Sequence, residues 1–155
     1  GVIYHSIFQG VKLGIKIPDY HGQYSGWAGT VYYSVTNIDL QDIDDQGWRM
    51  VDDGNGGMTL VVKGITLKAK ADVSYRYLLL RDTTTISING GANSFEFGAV
   101  CKMKLNKLDI KFNGGADWFY KFVAGVAGDI KSHIQQPLEK GVCKYLEDMM
   151  GKIGK

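Results

Sequence analysis

Apolar and polar residues alternate without a break through the middle of the chain. Ile65, Leu67, Ala69, Ala71, Val73, Tyr75 and Tyr77 fall on one side, and Thr66, Lys68, Lys70, Asp72, Ser74 and Arg76 on the other. Those 13 residues far exceed the usual strand of about 5–6. One face is apolar and the other charged, which predicts an antiparallel sheet solvated on one side. Shorter alternations predict strands over 99–105, with Ala99, Cys101, Met103 and Leu105 opposite Val100, Lys102 and Lys104, and over 108–112. Further strands are predicted at 30–40, 57–63 and 83–89. Glycine and Asx clusters at 52–57, 89–91 and 113–115 break the runs.

The period then changes. From 116 to about 149, apolar residues fall at Phe119, Phe122, Val123, Val126, Ile130, Ile134, Leu138, Val142, Leu146 and Met149. Steps of three and four mark one face of a helix. A continuous helix over this run would be roughly 50 Å long, and Pro137 is expected to kink or divide it. A second, shorter helix is predicted over 2–11, from Val2, Ile3, Ile7, Phe8 and Val11, against the influence of Gly10 and Gly14. Strands followed by helix make the class α+β.

Composition narrows the picture. With 155 residues, 45% hydrophobic and 22% charged, the chain is one globular domain. Nine Tyr, six Phe and three Trp exclude a solvated coil. The longest low-polarity run, 122–128, falls far short of the roughly 20 residues of a spanning helix. Twenty-one Gly without a period indicate many turns. The net charge of +2 divides into −3 over residues 1–64 and +5 over 65–155. That excess is too small and too dispersed for a nucleic-acid binder.

Candidate chemistry is sparse. GxSxG, P-loop and HExxH patterns are absent, and His5, His21 and His133 neighbour no nucleophile in a known motif, so no enzyme activity is expected. The acidic segment at 39–53 lacks an EF-hand pattern, and no metal site is expected. Cys101 and Cys143 have neither a CxxC partner nor a nearby His. An even pair in a strand-rich chain suggests one disulfide and an oxidising compartment; two buried free thiols in the cytosol is the other reading. If the two pair, the helix lies on the apolar face of the sheet. Lys68, Lys70, Lys102 and Lys104 alternate on the outer face, as a solvated surface or as an attraction for anionic headgroups.

The segment Ile15-Lys16-Ile17-Pro18-Asp19-Tyr20 follows the predicted first helix. Long strands, Cys101, and a Trp-containing helix carrying Cys143 come after it. In this order the chain resembles the family of bactericidal/permeability-increasing protein and lipopolysaccharide-binding protein, over about residues 10 to 150. The resemblance implies a tubular lipid-binding (TULIP) domain, a strongly curved antiparallel sheet wrapped as a half-barrel around a long amphipathic helix. It implies a Cys101–Cys143 disulfide, secretion, a role in innate defence, and phospholipid or fatty acid as the bound molecule with no other cofactor.

It also implies sites. The lipid-lining candidates are Phe119, Phe122, Val126, Ile130 and Ile134 on the helix, with Leu67, Ala69, Ala71 and Val73 on the sheet, where two alanines leave room. Tyr24, Trp27, Phe95 and Phe97, in loops free of Lys and Arg, are candidates for a membrane tip. The expected partner is a lipid or a membrane surface and not nucleic acid. Compared with that family, residues 1–155 read as a single module incomplete at both ends, which a protein partner or further chain segments would complete. A structural or interaction subunit using the fold as a scaffold is the alternative.

Overall fold

The structure is a computed structural model that describes residues 15–153; the helix predicted over 2–11 lies outside the described residues. Eight strands form one antiparallel sheet: β1 Lys16–Ile17, β2 Tyr20–Gly26, β3 Gly29–Asp44, β4 Gly47–Asp52, β5 Met58–Tyr77, β6 Leu80–Phe97, β7 Cys101–Lys102 and β8 Lys107–Phe112. A 3-10 turn at Asp117–Lys121 leads into α1, Val123–Ile153. At 20 residues, β5 extends about 66 Å. β3 and β4 follow one another along one of its edges and β6 takes the other. β1 and β2 lie outside β3, and β7 and β8 lie outside β6.

The long strands are continuous but not regular, and their buried positions show where each bends. In β3 the buried set runs Val31, Tyr33, Val35, then Ile38, Leu40, then Ile43. Both changes of phase coincide with register shifts against β5, between Thr36 and Asp39 and between Leu40 and Asp42. In β5, Leu60 and Val62 are followed by Ile65 and Leu67. The slip falls at Gly64, whose φ of 63° suits glycine. The predicted strands at 57–63 and 65–77 are therefore one strand, bent at Gly64. An extra residue at each bulge bends the sheet and lets its apolar face stay inward along its whole length.

α1 lies against that face. Val126, Ile130, Ile134, Leu138, Val142 and Leu146 are all buried, each four residues from the last. At 3.6 residues per turn, a step of four overshoots by about 40°, so the stripe winds about 200° around the helix over this span. A flat surface could not cover such a stripe, whereas a twisted sheet can. The inner faces of β3, β5 and β6 join α1 in one continuous core.

Two expectations are corrected. The strand predicted over 99–105 shrinks to the two residues of β7. The chain there leaves the sheet for the helix: the Leu105 amide donates to Glu139 Oε1 at 3.0 Å, and the Leu105 carbonyl accepts from Gln135 Nε2 at 3.4 Å. Helix side chains thus take the backbone bonds that a neighbouring strand would have made. Pro137 does not divide α1, which runs unbroken through it. Proline leaves the His133 carbonyl without its amide partner. His133 is exposed and Pro137 half-buried, so water can serve that carbonyl. β2 and β4 were not predicted, and in β4 five of six residues are exposed, which leaves no alternation to read.

Cys101 and Cys143 form a disulfide, with Cα atoms 5.8 Å apart and a sequence separation of 42. This excludes the free-thiol reading. Closing a loop of that length restricts the unfolded chain by about 4 kcal/mol in the chain-entropy account. Intact mass should rise by two hydrogen atoms on reduction. The Cys101→Ser/Cys143→Ser variant should lose up to about 4 kcal/mol in denaturant titration; an unchanged midpoint would contradict the assignment.

Candidate functional site: the helix–sheet interface and its open side

All nine lipid-lining candidates converge. Phe119 at the 3-10 turn, Phe122 just after it, and Val126, Ile130 and Ile134 of α1 meet Leu67, Ala69, Ala71 and Val73 of β5 in the same core. Each is buried. Aromatic rings close the end where α1 begins: Tyr75 stacks on Phe119 with centroids 3.8 Å apart, and Tyr77 lies 5.2 Å from Phe122.

The helix is fastened differently along its two sides. On the β7–β8 side the attachments are the disulfide and the bonds from Gln135 and Glu139 to Leu105. On the β1–β2 side they are polar and aromatic. The hydroxyls of Tyr20 and Tyr33 both donate to Asp129 Oδ2, from Tyr20 at 3.0 Å. Tyr20 also stacks on His133 with centroids 4.3 Å apart, and its hydroxyl lies 3.0 Å from His133 Nδ1. Partial burial, then the hydrogen bond to Asp129 and that carboxylate's charge, hold the Tyr20 hydroxyl well above its ordinary value of 10.0. Nearer the start of α1, the Tyr24 ring lies directly over Gly125, in the space a β-carbon would need.

Beyond Tyr20 and His133 this second side opens. A groove of about 450 Å³ runs between Ile17–Pro18 and Ile134–Pro137, with Lys140 and Lys144 along it and Asp19 on the opposite wall. Its floor includes Ile17 and Ile134, both members of the core. The groove therefore reaches the edge of the core, next to Pro137. Of the nine candidates only Ile134 lines this groove. Pro137, Lys140 and Lys144 were missed; the signal available was a proline on the helix with lysines three and seven residues later.

The four tip candidates do not form one tip. Trp27 sits in the β2–β3 turn, and register places it at the end where β5 finishes, since Tyr32 opposes Arg76. Phe97 opposes Leu60 near the start of β5, at the other end of the sheet. Phe95 is buried in the core and Phe97 packs against it, while Tyr24 covers Gly125. Only Trp27, 86% exposed, projects freely.

Three of the four outer lysines are matched by acids. Lys70 stands opposite Asp39, Lys68 opposite Asp42, and Lys102 opposite Glu96. Cross-strand pairs of opposite charge stabilise a solvated sheet face, and this pattern leaves little basic field. In the acidic segment, Asp52 accepts from the Gly54 amide, and Asp53 from those of Asn55 and Gly57. These carboxylates tie down a turn.

No protein-family model and no curated protein matches the sequence. Among solved structures, the chain is similar to the crystal structure of a lipopolysaccharide binding protein, with a TM-score of 0.71 and 16% identity over 88% of this chain. The chain spans 33% of that protein's length. The likeness establishes the fold: an open, curved antiparallel sheet holding a long C-terminal helix.

Two measurements test the β1–β2 side. The folded chain holds the Tyr20 proton more tightly than the unfolded chain, so this contribution is complete below the ordinary value of 10.0 and is lost as pH rises above it. Denaturant midpoints should fall above about pH 10, and less so in Tyr20→Phe; an identical slope in that variant would count against the assignment. Gly125→Ala should destabilise by about 1–3 kcal/mol through overpacking. Adding Tyr24→Ala should return part of that loss, whereas simple additivity would show that the ring is not the obstacle.

Proposed function

We propose that the protein binds lipid, with acyl chains between α1 and the concave face of the sheet and the headgroup at the groove beside Pro137. The observation that carries this reading is the groove itself, which is lined by Ile17 and Ile134 of the core beside Lys140 and Lys144. An acyl chain gains about 0.8 kcal/mol per methylene removed from water. The lysines suit an anionic phosphate or carboxylate head, so phospholipid and fatty acid are the ligand classes. The solved lipopolysaccharide binding protein of the same fold supports a lipid ligand at this general level. The disulfide fits an oxidising compartment such as the extracellular space. The role is that of a carrier or lipid sensor, without a catalytic step.

The alternative is a scaffold whose core is simply packed. The burial of all nine candidates in one core favours it. Ala71→Trp separates the two. Ala71 faces the core from the middle of β5, and a ring there would occupy ligand volume. Under the lipid reading, mass spectrometry of the purified protein finds bound lipid, and Ala71→Trp lowers it with little change in thermal midpoint. In a packed core the change only overpacks, at about 1–3 kcal/mol. No lipid in the wild type, no uptake from vesicles and a destabilised variant would establish the scaffold.

A further inference from the structure

The outlying strands β1, β2 and β8 pack beside α1. β4 is held differently. It pairs with β5 on one side, and on the other it pairs with no strand among the described residues. Five of its six residues are exposed. Trp48, Met50 and Val51 are among them, and Met58, opposite Asp52 on β5, is exposed as well. A bare edge of this kind is a template for another strand. The usual protections are missing: Gly47–Asp52 contains no proline and no lysine, and its register against β5 runs without a shift.

The order of residues says which strand fits. The Asp53 amide donates to the Gly57 carbonyl and carries the β5 ladder one step past β4. Residues of an antiparallel ladder alternate between bonding inward and outward. Arg49 and Val51 therefore bond to β5, while Trp48, Met50 and Asp52 hold their amides and carbonyls toward the open edge. Arg49 stands two residues before Val51, and Asp53 two residues after it. A second β4, reversed about a two-fold axis at Val51, sets Arg49 of each copy opposite Asp53 of the other. It also sets Met50 opposite Asp52, where the outward backbone groups meet. Arg49 has no ion pair among the described residues. Asp53 takes both of its turn bonds on Oδ1, which leaves Oδ2 for a further donor.

We propose that β4 pairs with β4 of a second copy of this chain, antiparallel about a two-fold axis through Val51, so that one sheet runs through both copies. Every contact across such an axis occurs twice, including the Arg49–Asp53 pair, and opposite charges in that position are stabilising. An anionic surface fits this edge poorly, because Asp44, Asp45, Asp52 and Asp53 outnumber Arg49 and Lys63 there. The contact is narrow beside the roughly 1,200–2,000 Å² of stable interfaces, so the dimer forms reversibly and depends on concentration. The inference is independent of the lipid-binding reading, since β4 shares no residue with the groove beside Pro137.

The test is sedimentation velocity of the whole 155-residue chain over a range of concentrations, together with Met50→Pro and Arg49→Glu. Proline is tolerated in an edge strand where the missing N–H faces outward, and both side chains are exposed, so circular dichroism should show the fold intact. The wild type should show a monomer–dimer equilibrium that weakens as salt rises. Met50→Pro loses one outward donor in each copy and should dimerise about tenfold more weakly. Arg49→Glu should dimerise less than the wild type at low salt and should gain as salt rises. Val51→Cys reads the axis itself. Facing residues of a non-bonded pair lie about 4.5 Å apart between Cα atoms, within disulfide reach, and the native cysteines are already paired. On mild oxidation it should form a covalent dimer well ahead of Leu79→Cys, which is exposed just beyond the far end of β5. This variant leaves the backbone ladder whole, so it decides the matter even if Met50→Pro fails to fold. A wild type that stays monomeric at every concentration overturns the proposal. So does a dimer that Met50→Pro and Arg49→Glu leave unchanged, or a Val51→Cys that cross-links no faster than Leu79→Cys. Vesicle binding by a monomeric chain, lost in Met50→Pro, would give the edge to a membrane and overturn it as well.

Discussion

The contact between α1 and the inner face of the sheet is the interaction on which everything else in this molecule depends. Strands this long present far more apolar surface than their own edges can hide, and one helix covers it. The four-residue spacing of its buried side chains makes the apolar stripe wind, so only a surface that turns with it can stay in contact. The bulges in β3 and β5 supply part of that turning. Helix periodicity and strand irregularity are therefore two sides of one fit. A regular sheet would lose the helix partway along, and a helix of ordinary three-four alternation would lose the sheet.

That fit is secured asymmetrically. A covalent bond and paired backbone hydrogen bonds hold the β7–β8 side, whereas hydroxyls on one carboxylate and stacked rings hold the other. Hydrogen bonds to a charged group contribute about 1.5–3 kcal/mol each against water and, unlike a covalent bridge, can open and close thermally. The groove beside Pro137 lies on this weaker side. Anything that reaches the core would do so there.

Much of the fold was legible in the sequence because its strongest constraint is periodic. Alternation over Ile65–Tyr77 and the helical stripe gave the two main elements and their faces. The phase slip at Gly64 is also visible, but it reads as a break between two strands instead of a bend within one, while the slip between Val35 and Ile38 falls inside the strand predicted over 30–40. β4 was illegible because an edge strand exposed on both faces has no alternation. Leu105 illustrates another limit: its alternating pattern reflects burial, while its backbone partners, Gln135 and Glu139, lie 30 and 34 residues away. The inward-facing candidates were found for the same reason the core was found. The end of the sheet was misjudged because membership of one tip depends on strand direction. Counting aromatics in loops cannot show that Trp27 and Phe97 lie at opposite ends.

The disulfide gives the helix a fulcrum. Cys143 lies 20 residues from the first residue of α1, a lever arm of about 30 Å. A tilt of only about 5° about that point displaces the far end by roughly 2.6 Å, while the residues next to the bridge scarcely move. Mechanical compliance in this domain is thus graded along one axis, stiff at the sulfur atoms and soft at the 3-10 turn. Any swelling of the interior would lift the helix as a drawbridge does, from the end that carries Trp27.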